Sequence, residues 1–136
     1  MNLENTCAEQ PVAAQPFAIE IDQTRSLLVI RYCGRIRAAD VERCAAEVHL
    51  ALWKLQPGFH LLADLTKLKA MDISCAPALE NIMNLCNEAG VALVARVIPD
   101  PRCDIGLQIM SYFHYDADVR IVTCVSVEEA MSALSQ

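Results

Sequence analysis

The sequence predicts an α/β domain in which helices pack against a mixed, mostly parallel β-sheet. Segments with the period of a strand alternate with segments with the period of a helix, in the order ββαβαβαβα. The length of 136 residues suits one domain. Apolar residues make up 54% of the chain and aromatic residues only 5%, which predicts a folded core of aliphatic side chains.

The chain is predicted to begin with a flexible N-terminal tail and a hairpin. Residues 1–16 show no sustained periodicity, so the single domain is expected to span residues 17–136. Apolar and polar residues alternate over 17–22, as in a half-buried strand. Residues 27–33 form a second β-rich run, which ends at Gly34.

The hydrophobic period then changes to three and four residues over 38–56. The apolar positions are Val41, Cys44, Ala45, Val48, Leu52 and Leu55. This spacing predicts an amphipathic helix, which Pro57 and Gly58 end. Residues 59–65 are predicted to form a mainly apolar strand, and residues 66–72 a short loop with two lysines.

A second helix is predicted to begin at Ser74 as its N-cap and to stop at Gly90. Pro77 fits the first turn, where a missing N–H costs little. Residues 91–98 are rich in β-branched side chains, as in a central parallel strand.

The last third of the chain continues the alternation. Asp104 begins a predicted third helix that runs to about His114, and residues 119–125 form the last strand. Ser126 and Glu129 have the spacing of a capping box, which opens a C-terminal helix.

The charge balance and the length of the apolar runs argue against nucleic acid and membranes as partners. Lys and Arg number 11 against 17 Asp and Glu, so the net charge of −6 argues against nucleic acid. Apolar runs fall short of the roughly 18–20 residues that span a bilayer, so no membrane insertion is expected. The N-terminus has no cationic region before an apolar run, and we expect a cytoplasmic protein.

The seven cysteines do not have the spacing of a metal site. None lies within four residues of another Cys or of a His, so we expect neither a metal nor a disulfide scaffold. Cys33, Cys44, Cys86 and Cys124 lie in apolar patterns and are predicted to be packing residues.

Signatures of catalysis are also absent from the sequence. The four glycines are not clustered into a phosphate-binding loop, and no motif pairs His49, His60 or His114 with a cysteine nucleophile. We therefore predict a protein that is not an enzyme, with no catalytic residue and no cofactor.

Residues 61–75 carry the most specific pattern in the chain. Asp64-Leu65-Thr66 follows an apolar run, and Asp72-Ile73-Ser74-Cys75 opens the second helix. This pattern resembles the STAS domain, the family of bacterial anti-sigma-factor antagonists and of sulfate-transporter cytoplasmic domains. In that family a strand ends in Asp-hydrophobic-Ser/Thr, and a helix then opens with an Asp-Ser-Ser-Gly type motif.

The resemblance covers roughly residues 17–135, including Asn87 to Leu93 and Val127 to Ala130. It implies a protein-interaction domain in bacterial signalling. In regulatory members a partner kinase phosphorylates the second hydroxyl position of the motif, where this chain has Ser74. The implied partner is an anti-sigma serine kinase, and the implied role is that of an anti-sigma-factor antagonist.

A phosphate on Ser74 would have a physical effect of its own. It would lie at a helix start, where free backbone N–H groups and the helix dipole favour anions. It would also add about −1.5 to −2 charge, enough to abolish docking on a partner surface. The expected docking surface spans residues 64–83. The partner-binding candidates are Asp64, Thr66, Asp72, Ile73, Ser74 and Cys75.

Three of these residues have alternative interpretations. Ser74 also fits a helix cap alone, and Asp72 fits loop solvation or support of the cap. Cys75 stands where the family has glycine, and a thiol in a first helical turn can have a depressed pKa and be reactive.

Two other functions remain open from the sequence. One is a STAS-like domain that binds a small molecule, such as a nucleotide or a lipid. The other is a homodimeric module without a switch.

Overall fold

The computed structural model describes residues 15–97 and 119–135. Their strands and helices are, in order, β1 (Phe17–Asp22), β2 (Leu27–Ile36), α1 (Ala38–Ala51), β3 (His60–Met71), α2 (Ala76–Ala89), β4 (Leu93–Val97), β5 (Arg120–Cys124) and α3 (Val127–Leu134). Two 3₁₀ turns, Leu52–Lys54 and Ile73–Cys75, follow α1 and precede α2. The predicted helix from Asp104 to about His114 lies outside the described residues, as do residues 1–14 of the predicted tail.

The described strands form one five-stranded sheet in the order β1-β2-β3-β4-β5. β1 is antiparallel to β2, and β2 to β5 are parallel to one another. The sheet is therefore mixed and mostly parallel, and the predicted fold class is confirmed.

The sheet is covered on both faces because successive strand residues point to opposite sides. On β2, Leu28 and Ile30 belong to the core beneath α1 and α2. Leu27 and Val29 belong to a second core that includes Ala130 of α3. The helices therefore form two layers, with α1 and α2 on one face and α3 on the other.

The helix ends follow the local signals in the sequence. Gly90 ends α2 in the left-handed conformation, with φ 93°, as predicted. The N–H of Glu129 donates to Ser126 Oγ over 3.1 Å, which confirms the predicted cap of α3. The Glu129 carboxylate accepts from the Val125 N–H at 2.9 Å. α1 is shorter than predicted, because the chain tightens into the 3₁₀ turn Leu52–Lys54.

The largest correction concerns β3. The prediction of a loop over residues 66–72 is wrong, since β3 continues to Met71 beside a β2 that extends to Ile36. From the pair Arg31–Asp64 to the pair Ile36–Met71, the chain advances by five positions along β2 and by seven along β3. These two extra residues are accommodated as two bulges, each of which interrupts the alternation of side chains.

Candidate functional site

The candidate switch residue Ser74 lies in the 3₁₀ turn between β3 and α2. The Ser74 N–H donates to Asp72 Oδ1 at 2.9 Å, and the Ser74 hydroxyl donates to the same oxygen. Asp72 is thus the cap of the turn, and the prediction that Ser74 is the N-cap is wrong. Asp72 therefore does more than support a cap formed by Ser74, because its own carboxylate is the capping group. The Ser74 hydroxyl, and then its N–H, hold the pKa of Asp72 below its usual range.

The backbone N–H groups of Ser74, Cys75 and Ala76 already have acceptors. Besides the Ser74 N–H, the Cys75 N–H donates to the Asp72 carbonyl at 3.1 Å, and the Ala76 N–H donates to the Ile73 carbonyl. Pro77 has no N–H to offer. At these three positions a phosphate would therefore not meet free N–H groups, contrary to the expectation, because the cap and the 3₁₀ hydrogen bonds use them.

The turn nevertheless presents a mixed apolar and polar surface. Asp72 and Ser74 are exposed, and the Ile73 side chain between them is 50% exposed. A large aliphatic side chain held this far out of the core offers an apolar contact, with a hydroxyl and a carboxylate on either side. We call residues 72–74 the switch turn.

Asp64 acts inside the molecule. It is only 7% exposed. Its Oδ1 accepts from the Thr66 N–H at 3.0 Å and from the Thr66 hydroxyl at 2.7 Å. Its Oδ2 lies 3.4 Å from Arg31 Nε, and the Arg31 guanidinium also pairs with Glu20. The carboxylate therefore links β3 to β2 where the first bulge begins, and Thr66 rather than Asp64 is exposed at the surface.

Cys75 is also turned away from solvent. It is 0% exposed, and its Sγ lies 3.6 Å from the Ile36 carbonyl oxygen. Burial, together with the charge of Asp72, raises the pKa of the Cys75 thiol. The interpretation of Cys75 as a thiol with a depressed pKa is wrong, and its buried side chain does not contribute to the surface of the turn.

Cysteine alkylation checks this arrangement. Cys33 is exposed, contrary to the prediction that it packs, because it belongs to neither of the two cores of the sheet. Burial raises the pKa of Cys44 to about 11 and that of Cys86 to about 12. Since only the thiolate reacts, iodoacetamide at mildly alkaline pH should modify Cys33 and spare Cys44, Cys75 and Cys86 in the folded protein.

Peptide mapping by mass spectrometry measures this difference, and the same reaction in urea is the control. In urea these four cysteines should react alike. Modification of Cys75 as fast as Cys33 in the folded protein would contradict the buried position of its thiol.

The sequence did not predict one feature of this end of the sheet. A cleft of about 570 Å³ lies against the strands, and its lining includes Arg31, Cys33, Thr66 and Lys67. The bulged part of β3 contributes the last two residues. The sequence predicted a loop at Thr66 and Lys67. The two lysines of the predicted loop were the only sign in the sequence that this segment is exposed.

Metal and membrane sites were sought in the described parts of the chain. Residues 15–97 and 119–135 contain no group of three His, Cys, Asp or Glu side chains placed to hold a metal ion. None of the helices in these ranges has both the length and the apolar character of a membrane span.

The sequence matches no protein-family model, and no curated protein matches it significantly. Solved structures do match its fold. The anti-sigma factor antagonist SpoIIAA in its unphosphorylated form has a TM-score of 0.61 and 18% identity, over 88% of this chain and 97% of that one. SpoIIAA from Bacillus in the phosphorylated form has a TM-score of 0.58 and 19% identity, over 87% of this chain and 98% of that one.

A protein of the DUF3478 family from Shewanella loihica, described as having a SpoIIAA-like fold, is also similar. Its TM-score is 0.63 at 17% identity, over 87% of this chain and 93% of that one. These identities are low, and the likeness concerns the fold. The chain therefore has the STAS-like fold of the SpoIIAA anti-sigma-factor antagonists, as the pattern of residues 61–75 predicts.

Proposed function

We propose that this chain is a non-enzymatic, cytoplasmic interaction domain of bacterial signalling, an anti-sigma-factor antagonist whose docking is switched by phosphorylation of Ser74. The fold it shares with SpoIIAA supports a protein partner, with an anti-sigma serine kinase as the enzyme that acts on it. The observation that carries the proposal is the exposed switch turn, which places the Ser74 hydroxyl beside Ile73 at the surface.

The geometry of the switch turn supports a change of shape on phosphorylation. The kinase transfers the γ-phosphoryl group of ATP to Ser74 Oγ, the hydroxyl proton passes to a base of the kinase, and ADP leaves. Ser74 Oγ then has no hydrogen to donate to Asp72. The new charge of about −1.5 to −2 also stands next to the Asp72 carboxylate, which is ionised at neutral pH as an ordinary aspartate is.

This repulsion acts on the cap that shapes the turn. Asp72 is left with the Ser74 N–H as its remaining donor within the turn, and the phosphate group competes for the same space. Ile73 is displaced with the turn, because it lies between the two repelling groups. We therefore assign the loss of docking to the loss of the Ile73 contact together with the hydration of the phosphate.

The experiment uses the anti-sigma-type serine kinases encoded in the same genome. The protein is incubated with each kinase and ATP, and phosphorylated sites are mapped by mass spectrometry. Binding to the same kinases is measured by calorimetry for the wild type, Ser74→Asp and Ser74→Ala. We expect phosphate on Ser74, an affinity at least tenfold lower for Ser74→Asp, and binding without phosphorylation for Ser74→Ala.

Ser132→Asp is the matched control, because Ser132 is also an exposed serine but lies on α3. It should bind like the wild type. The proposal is wrong if Ser74 stays unmodified with every kinase and Ser74→Asp leaves the affinity unchanged.

A further inference from the structure

The bulged ends of β2 and β3 extend past the neighbouring strands. The pairing of β1 with β2 reaches Tyr32, and the pairing of β4 with β3 reaches Asp64. Beyond these points residues 33–36 and 65–71 continue as a parallel pair. One side of this pair is buried in the core beneath α1 and α2, through Ile36, Leu65, Leu68 and Met71.

The other side of the pair carries exposed cations. Arg35 of β2 and Lys67 and Lys69 of β3 are all exposed. We call these three side chains the basic face. None of them forms an ion pair with a residue in the described parts of the chain. Thus three of the chain's 11 Lys and Arg residues lie together in a protein of net charge −6.

The acidic groups beside the basic face have other partners. Asp64 binds Thr66 and pairs with Arg31, and Asp72 accepts both hydrogen bonds from Ser74. The cations of the face therefore repel one another without a counter-charge from these two carboxylates. The bulges cause this arrangement, since each inserts an extra residue that turns a polar side chain outward.

We propose that the basic face docks an acidic surface of a protein partner. Charge complementarity selects the occupant, because three exposed cations on adjacent strands, none of them in an ion pair with another described residue, suit carboxylates spread along a protein. Nucleic acid is disfavoured by the acidic balance of the rest of the chain.

The basic face also adjoins the switch turn, since Lys69 stands three residues before Asp72. A phosphate on Ser74 adds negative charge at the edge of the face, which repels the same acidic partner. This coupling rests on the proposed function, whereas the docking of an acidic surface does not.

The probe is a fluorescein-labelled octaglutamate peptide, with binding measured by anisotropy at low salt, where the Debye length is about 30 Å. The face variant carries Arg35→Ser, Lys67→Ser and Lys69→Ser. We expect its affinity for octaglutamate to be about tenfold lower than that of the wild type. A second variant with Glu at the same three positions should bind octalysine instead.

The charge-matched control carries Arg25→Ser, Lys54→Ser and Arg120→Ser. These three cations are exposed elsewhere on the described surface, so the control should bind octaglutamate nearly as well as the wild type. Circular dichroism verifies that every variant is folded. Absence of octaglutamate binding by the wild type, or an equal loss in both triple variants, overturns the proposal.

Two further measurements separate the docking from the switch. In one outcome the face variant loses affinity for octaglutamate while Ser74→Asp binds it like the wild type. That result supports the docking of an acidic surface and contradicts its coupling to phosphorylation of Ser74. Sedimentation of the wild type and the face variant tests a second copy of the chain as occupant. A wild-type dimer that dissociates in the face variant overturns the assignment to a different protein.

Discussion

We expect the Leu68→Ala substitution to lower the free energy of unfolding by about 2–5 kcal/mol. Leu68 is 1% exposed and belongs to the core beneath α1 and α2, so the substitution removes buried methyl groups and leaves a cavity. Urea unfolding followed by circular dichroism measures the change.

Lys69→Ala is the matched control, one residue further along β3. Its side chain is exposed, and a surface substitution of this kind changes stability by no more than about 0.5 kcal/mol. A loop over residues 66–72 would make both substitutions nearly neutral. Similar small effects at Leu68 and Lys69 would therefore contradict the bulged strand.

The spacing of the buried residues explains why the sequence predicted a loop where β3 continues. The residues that face the core there are Leu65, Leu68 and Met71, which recur every third position because of the two bulges. A strand is recognised by alternation of period two, and a spacing of three lacks that signal. A bulge depends on how a strand pairs with its neighbour, here β2. The sequence of residues 66–72 alone does not show that pairing.

Elements with regular periods were predicted well. The strand over 17–22 and the buried face of α1, including Val41, Cys44 and Val48, agree with the structure. The predicted helix ends at Ser126 and Gly90 also agree with the structure, because a helix cap depends only on a few residues that are neighbours in the sequence. Local rules account for the order of the described elements and hence for the fold class.

The sequence predicted where the second helix begins to within two residues, but it did not predict how the side chains before that helix are oriented. The motif resemblance placed Asp72, Ser74 and Cys75 at the start of a helix. A 3₁₀ turn there sends the Cys75 thiol into the core and makes Asp72 the cap, which shortens α2 to begin at Ala76. The choice between Asp72 and Ser74 as the cap is decided by backbone geometry, since both residue types cap helices well.

We expect the Gly90→Ala substitution to lower the free energy of unfolding by about 2–4 kcal/mol, from two separate costs. Gly90 has φ 93°, and an L side chain in the left-handed region costs about 1–2 kcal/mol. A Cβ there would also lie 2.9 Å from Pro57 Cβ and 3.0 Å from Pro57 Cα. This close contact can be relieved only by backbone movement, because the Gly58 N–H donates to the Gly90 carbonyl at 2.7 Å and holds the two segments together.

Gly58→Ala separates the two costs. Gly58 has φ 95°, nearly the same φ as Gly90, but a Cβ at this position would meet no atom within 4 Å. Its substitution should cost only the conformational part, about 1–2 kcal/mol. Urea unfolding of both variants measures the difference, which we assign to the contact with Pro57. Equal losses in the two variants would contradict a steric cost at Pro57, and would mean that the loop there moves freely to accommodate the added Cβ.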